Sequence, residues 1–379
     1  MYDGEGTEYG QMSRVVSTVA VAAIVVMSGC VGSIPGLDDG SGGQAEPVTY
    51  VPADVDTVAT VDADVASDET TRSLLNTLFE ESDQAPGDPS DVDEAADEFQ
   101  RQLNDNLSTN LSLEEIDGAA VFARTPDEPQ TADVDQQQYA GAILSVDWDR
   151  EDVLENLRET ASVKEDDYDG VTVYEVVNET TEEPLYTAQY ESGLWVFSGN
   201  QSTVEDVIDV SQGDADTFGG DLKTAYDQTR EDAYVRYAVT VSDQQRDTIR
   251  QVARRGGSQA PVDLTQFGDV VAYSGAYYTE DGQVGVSTYL TATNESSAQR
   301  LNQTIGSLVR LGQGTVEPGT PQAAQLNALS TEQDGRTLEI LYEIDVETLQ
   351  EFVREQSSTP ALVAPSPAVT ATGAAAPAR

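Results

Sequence analysis

The only cysteine of this 379-residue chain, Cys30, has the side chain best suited to covalent chemistry. One cysteine cannot form an internal disulfide, and a chain without histidine offers its thiol no imidazole partner for a nucleophilic dyad. An uncharged, mostly apolar stretch, VVSTVAVAAIVVM, precedes it at residues 15–27 and is shorter than the about 20 residues of a membrane-spanning helix. With Arg14 before it and Ser28-Gly29 after it, this stretch predicts a signal peptide at residues 1–29 that ends in a lipidation site at Cys30.

The surroundings of Cys30 favour a membrane tether over the alternative, a buried cysteine in an N-terminal helix. Residues 30–47 are rich in Gly, Asp and Ser, which is typical of a flexible linker. The first eleven residues carry three acids, which is unusual for the start of a signal peptide and suggests that translation begins at Met12. We therefore expect an exported protein that a lipid on Cys30 anchors to the outer face of the cell membrane.

The charge of the chain indicates a halophilic host. Nineteen basic and 69 acidic residues give a net charge of −50, and only Lys164 and Lys223 are lysines. Acid excess with scarce lysine is the composition of extreme halophiles, so we predict a haloarchaeal source. In this background an acidic cluster such as DADVASDE is better explained as a solvated face than as a metal site, and we predict no metal ion and no cofactor. Nucleic acid is disfavoured as a partner because phosphate contacts need basic clusters.

The body of the chain repeats an order of elements. Each half opens with a strand and a helix, continues with strands and a capped helix, and closes with strands and another helix. Asp149 and Asn294 stand where N-caps are expected, and Asp-Gly or Ser-Gly pairs stand where hairpins would turn. The order predicts an α+β fold of two related repeats of antiparallel sheet with helices packed on one face, and it lacks the strict alternation of a doubly wound parallel sheet.

This pattern divides the mature chain into two repeats and a tail. We assign residues 48–218 to the first repeat, with an acidic insertion near 84–111, and residues 219–356 to the second. Residues 357–379 are rich in Ala, Pro, Ser and Thr without periodicity and are predicted to be disordered.

Residue types for common catalytic mechanisms are missing from the sequence. There is no histidine, no glycine-rich phosphate loop with lysine and no G-x-S-x-G motif. Trp148, Trp195 and the sixteen tyrosines could stack on sugars, but their strand positions favour packing across a sheet. We therefore predict no catalytic residues and no enzymatic activity.

Six N-x-S/T sequons are candidate N-glycosylation sites in an exported protein. They lie at Asn106, Asn110, Asn178, Asn200, Asn294 and Asn302. Two or three are expected to be modified, first Asn106 and Asn110 in the polar insertion. Asn200 and Asn294 also have the positions of helix caps.

The segments YVPADVDTVATVD and YDGVTVYEV, followed by GLWVFSGNQSTVEDVID, resemble those of uncharacterised haloarchaeal surface lipoproteins. The resemblance spans residues 48–356 by layout and implies location and fold, with no known activity. We expect a non-enzymatic, lipid-anchored surface protein that binds an unknown protein or small-molecule partner or organises the envelope. The alternatives are a solute-binding lipoprotein of an ABC importer and, more weakly, an extracellular hydrolase.

Overall fold

The protein is described by a computed structural model over residues 46–81, 115–125, 139–178, 184–256, 264–316 and 318–358. Within these ranges there are eight helices, and twelve antiparallel strands form one open sheet. The strands are β1 Thr57–Asp62, β2 Ile116–Ala123, β3 Ala140–Val146, β4 Ala161–Tyr168, β5 Val171–Asn178, β6 Pro184–Glu191, β7 Leu194–Ser198, β8 Val235–Thr240, β9 Val270–Glu280, β10 Gln283–Ala292, β11 Leu329–Asp334 and β12 Thr337–Asp345. The predicted α+β class is confirmed.

The helices follow the strands in the predicted alternation. They are α1 Glu69–Glu81, α2 Arg150–Thr160, α3 Gln201–Gln212, α4 Gly220–Asp227, α5 Asp243–Gly256, α6 Glu295–Thr315, α7 Pro321–Asn327 and α8 Val346–Ser358. Short 3-10 helices cover Pro47–Tyr50, Ala63–Ala66 and Thr265–Asp269. No helix in the described ranges is both long enough and apolar enough to cross a membrane.

The predicted N-caps explain where two helices begin. The Asp149 carboxylate accepts a hydrogen bond from the Glu151 amide at 2.8 Å at the start of α2. The Asn294 side-chain oxygen accepts one from the Ser297 amide at 3.0 Å at the start of α6. Each bond satisfies a first-turn amide that has no partner within its helix.

The predicted turn pairs connect four hairpins. Asp169-Gly170 and Asp281-Gly282 have positive φ at both residues, with values of 45° and 83° in the first pair and 51° and 78° in the second. Positive φ at both positions fits the right-handed twist of the strands they join, β4 to β5 and β9 to β10. Gly193 and Gly335 also have positive φ and join β6 to β7 and β11 to β12.

The strand order shows how the two repeats are related. From the middle of the sheet outward, the first repeat runs β1-β2-β3-β7-β6 and the second β8-β9-β10-β12-β11. The first repeat then adds β5 and β4 at its outer edge. β1 and β8 pair antiparallel with Ala59 opposite Tyr237, so the repeats share one continuous sheet.

Alternation along the strands divides the core between two faces of the sheet. Trp195 lies with α2 on one face, whereas the next residue, Val196, packs with α3 on the other. Strand register places α6 on the same face as α2, over Leu290 and Leu338. The sheet thus carries helices on both faces and not on one face as predicted, because α3 and α4 cover the side opposite α2 and α6. Both sides are covered since apolar residues alternate onto the two faces of strands such as β7.

The buried positions of the two capped helices follow the helical spacing of their apolar residues with one exception. Val153, Leu154 and Leu157 of α2 are buried, and so are Ala298, Leu301 and Ile305 of α6. Leu308 continues the apolar spacing of Ala298, Leu301 and Ile305 in the sequence but is exposed. Val309 packs against the core in its place, because a 3.6-residue period shifts the inward position by one residue after several turns.

Candidate functional site

A groove of about 740 Å³ lies between α2 and β5 in the first repeat. Five of its lining residues belong to α2 and recur at the spacing of one helix side. The sixth, Tyr174, comes from β5 and is only 2% exposed. The lining residues are Arg150, Glu151, Leu154, Glu155, Arg158 and Tyr174.

Two side-chain contacts hold the β4–β5 hairpin against α2. Arg150 Nη2 donates to the Tyr174 hydroxyl at 2.5 Å, and its guanidinium lies 5.7 Å from the centre of the Tyr174 ring. Eight residues further along α2, Arg158 Nη2 donates to Glu165 Oε1 of β4, also at 2.5 Å. Glu165 and Tyr174 are paired directly across the two strands, so both ends of α2 contact the hairpin at the same cross-strand position.

The β4–β5 hairpin is present in the first repeat and has no counterpart in the described part of the second. In the second repeat the helix α6 leads through α7 to β11, whereas in the first α2 leads directly into β4 and β5 before β6. The backbone of the hairpin is fixed by the turn at Asp169-Gly170, and Tyr174 reaches the α2 face because alternate strand residues point to opposite sides. The groove therefore depends on an insertion into the common repeat.

The groove combines an apolar floor with charged walls. Leu154 and Tyr174 are buried, while Arg150, Glu151, Glu155 and Arg158 are exposed. Arg158 is neutralised by Glu165, whereas no carboxylate of the described residues contacts Arg150. Such a lining suits noncovalent binding, because it offers a cationic donor beside apolar surface and contains no thiol or imidazole.

The two tryptophans do not form a sugar-stacking surface. Trp148 is 7% exposed and Trp195 is fully buried. Trp195 stacks on Phe197 with their ring centres 6.2 Å apart, as expected for aromatic residues that pack on a sheet. In the described part of the chain, no group of three or more acidic or cysteine side chains is arranged to hold a metal ion.

The predicted modification sites lie away from the groove or outside the described residues. Cys30, Asn106 and Asn110 are outside the described ranges. Asn178 is the last residue of β5, opposite Ala161.

Three other sequon asparagines take part in helix structure. Asn200 caps α3 by accepting from the Ser202 amide at 3.0 Å, and Asn294 caps α6. Asn302 lies within α6, where its side-chain oxygen accepts from the Thr331 hydroxyl of β11 at 3.0 Å. These side-chain oxygens therefore have structural roles whether or not the amide nitrogens carry a glycan.

Sequence reasoning predicted α2 and its cap but did not select the groove residues. One signal was present, since Arg150 has Val153 and Leu154 one turn later and so lacks an acidic partner on its own helix. The contribution of Tyr174 could not be deduced, because β5 comes to lie beneath α2 only through tertiary packing.

Comparisons with known proteins give little similarity. No protein-family model matches the sequence, and no curated protein matches it. Among solved structures, crystal form I of TP0453 is similar with a TM-score of 0.40 and 10% identity, over 83% of this chain and 98% of that chain. Crystal form III of TP0453 has a TM-score of 0.39 and 9% identity, over 82% and 99%. Similarity at this level indicates neither a family nor a function.

Proposed function

We propose that this protein is a non-enzymatic, lipid-anchored surface protein of a halophilic archaeon and that it binds a ligand outside the cell. The observation that carries the proposal is the position of Cys30 after a short apolar stretch and two small residues, with a Gly/Asp-rich linker behind it. The groove beside α2 supports the binding role, since its volume lies within the about 300–1,000 Å³ of small-molecule sites.

A binding role through a hinge between two lobes, as in importer lipoproteins, is less well supported. The groove lies within the first repeat and not between the repeats. The pairing of β1 with β8 also makes the repeats parts of one sheet, which gives a hinge no flexible connection at that point. We therefore favour a binding protein whose site is formed by one repeat.

The anchor is tested by Cys30→Ser in the native host. The wild-type protein should fractionate with membranes, and its N-terminal peptide should carry the mass of a lipid on Cys30. The variant should appear in the medium or stay unprocessed, because the hydroxyl cannot replace the thiol in lipid transfer. Ser33→Ala, three residues away, is the matched control and should behave as wild type.

Retention of the Cys30→Ser protein in membranes with the same N-terminal mass as wild type would contradict the anchor. Release of both variants would point to a general defect in export.

A further inference from the structure

Unlike several other arginines of the described chain, Arg150 has no acidic partner. Arg158 contacts Glu165, and both Arg250 and Arg300 contact Asp269. In the described part of the chain, the guanidinium of Arg150 contacts only Tyr174. A guanidinium that forms no ion pair leaves donors for an external anion, even though the protein has a net charge of −50.

The Tyr174 hydroxyl supplies a second donor at the same place. Its oxygen accepts the hydrogen bond from Arg150, so its own proton is free to be donated, and no described residue accepts it. The residue is 98% buried, and a buried donor gains free energy when it finds an acceptor. Arg150 and Tyr174 therefore offer two donors on one side of the groove.

The other lining residues restrict the kind of anion. Leu154 gives the floor an apolar surface next to the two donors. Glu151 and Glu155 add negative charge to the same groove, which disfavours ligands with several negative charges. A ligand with one anionic group and an apolar body matches all three features.

Resting on the binding role proposed above, we propose that the groove binds a small monocarboxylate with an apolar substituent. The carboxylate accepts from Arg150 and Tyr174, and the substituent covers Leu154. A carboxylate is favoured over chloride, which is abundant in brine, because its two oxygens can accept directed hydrogen bonds from two donors at once. Directed bonds over a buried floor also lose less strength to salt than an exposed ion pair does.

The test is a titration of the full-length protein in about 2 M NaCl, where the Debye length is only a few Å. The probes are N-acetyl-L-leucine and its uncharged amide, N-acetyl-L-leucinamide, and binding is followed by saturation-transfer NMR. The acid should bind saturably and the amide at least about tenfold more weakly, as loss of a charged hydrogen bond implies. Arg150→Gln and Tyr174→Phe should each weaken binding of the acid by about ten- to a hundredfold.

Two controls separate this effect from misfolding. Arg310→Gln removes an arginine of α6 that contacts Ser307 and lies outside the groove, and it should bind the acid as wild type does. Far-UV circular dichroism should show that all variants stay folded at the temperature of the titration, although Arg150→Gln and Tyr174→Phe lose a hydrogen bond between α2 and the hairpin and melt at a lower temperature. Arg150→Lys should recover part of the affinity because it keeps the charge.

Equal affinity for the acid and the amide would overturn the inference, and so would unchanged affinity in Arg150→Gln. The result is independent of the anchor: if Cys30 is lipidated and the acid does not bind, only this inference fails. If the acid binds and Cys30 carries no lipid, the proposed location fails and the site stands.

Discussion

At Asp269, donors from two helices converge on one carboxylate. Arg250 of α5 donates at 3.2 Å, and Ser297 and Arg300 of α6 each donate at 3.1 Å. Burial by itself raises the pKa of Asp269, but the hydrogen bonds from Arg250, Ser297 and Arg300 outweigh it, so that the pKa lies below its ordinary value of 3.8. This residue therefore connects α5 and α6 through a charge that folding stabilises.

We predict that Asp269→Asn lowers the free energy of unfolding by about 1–3 kcal/mol at neutral pH, since it weakens hydrogen bonds to a partly buried charge. A depressed folded-state pKa contributes stability that is fully present above the unfolded pKa and is lost as pH falls through the folded pKa. The difference between wild type and variant should therefore shrink on acidification below the usual pKa of 3.8. Thermal midpoints measured at several pH values check both points.

Asp247→Asn is the matched control for Asp269. Asp247 contacts the same Arg250, but its side chain is 78% exposed, and exposed ion pairs contribute only about 0–1 kcal/mol. If Asp247→Asn lowered the free energy of unfolding as much as Asp269→Asn does, the contacts of Asp269 would contribute no more than an exposed ion pair.

At the scale of elements, the starts of helices depend on nearby residues, whereas the position of the β4–β5 hairpin depends on tertiary contacts. The caps at Asp149 and Asn294 are local, since each side chain reaches an amide of its own first turn. The hairpin is also local at its Asp169-Gly170 turn. Its position beneath α2 is not local and depends on contacts such as that between Arg150 and Tyr174, which are 24 residues apart.

Two substitutions of Asn294 distinguish its role as the cap of α6 from its role in the sequon. Asn294→Ala removes both the acceptor and the glycosylation site, whereas Asn294→Asp removes only the site. In protein made without glycosylation, Asn294→Ala should cost about 0.5–2 kcal/mol of unfolding free energy. Asn294→Asp should be near neutral, because the carboxylate accepts the same bond and favours the helix N-terminus.

Salt-dependent thermal unfolding measures these costs, and hydrogen exchange of the first-turn amides of α6 locates them. Equal destabilisation by both substitutions would contradict a capping role for Asn294. Exchange that is faster throughout the sheet in Asn294→Ala would show an effect beyond the helix start.

At the scale of the whole molecule, the net charge of −50 is expected to make the stability depend on salt. Folding brings the carboxylates closer together over the surface of the protein. Their mutual repulsion opposes a free energy of unfolding that is typically only about 5–15 kcal/mol. Described ion pairs such as those of Arg158 and Lys223 neutralise only a small part of this charge. We therefore expect the fold to depend on screening by dissolved salt.

We predict loss of structure below a few tenths molar NaCl and recovery near about 2 M, where the Debye length falls to a few Å. Far-UV circular dichroism and the thermal midpoint, followed against NaCl concentration, provide the measurement. A midpoint that stays flat between about 0.1 and 3 M, a range in which the Debye length changes severalfold, would refute the halophilic interpretation. The acidic clusters would then have to be reconsidered as specific cation or partner sites.

Local signals in the sequence determined the α+β class, the antiparallel hairpins and the caps. They suffice because a cap, a turn or an amphipathic face involves residues within a few positions of one another, as Asn294 and Ser297 show. The order of such elements also indicated the two repeats. Composition alone led to the predictions about salt and the host.

Tertiary structure decided how these elements were assembled. The joining of the repeats through β1 and β8, and the placing of α3 and α4 on the face opposite α2, depend on pairings between distant residues such as Ala59 and Tyr237. The groove arises in the same way, since Arg150 and Tyr174 meet only after β5 packs beneath α2. Such contacts form because the whole sheet then buries its apolar residues and pairs its strands. No short stretch of sequence specifies that arrangement.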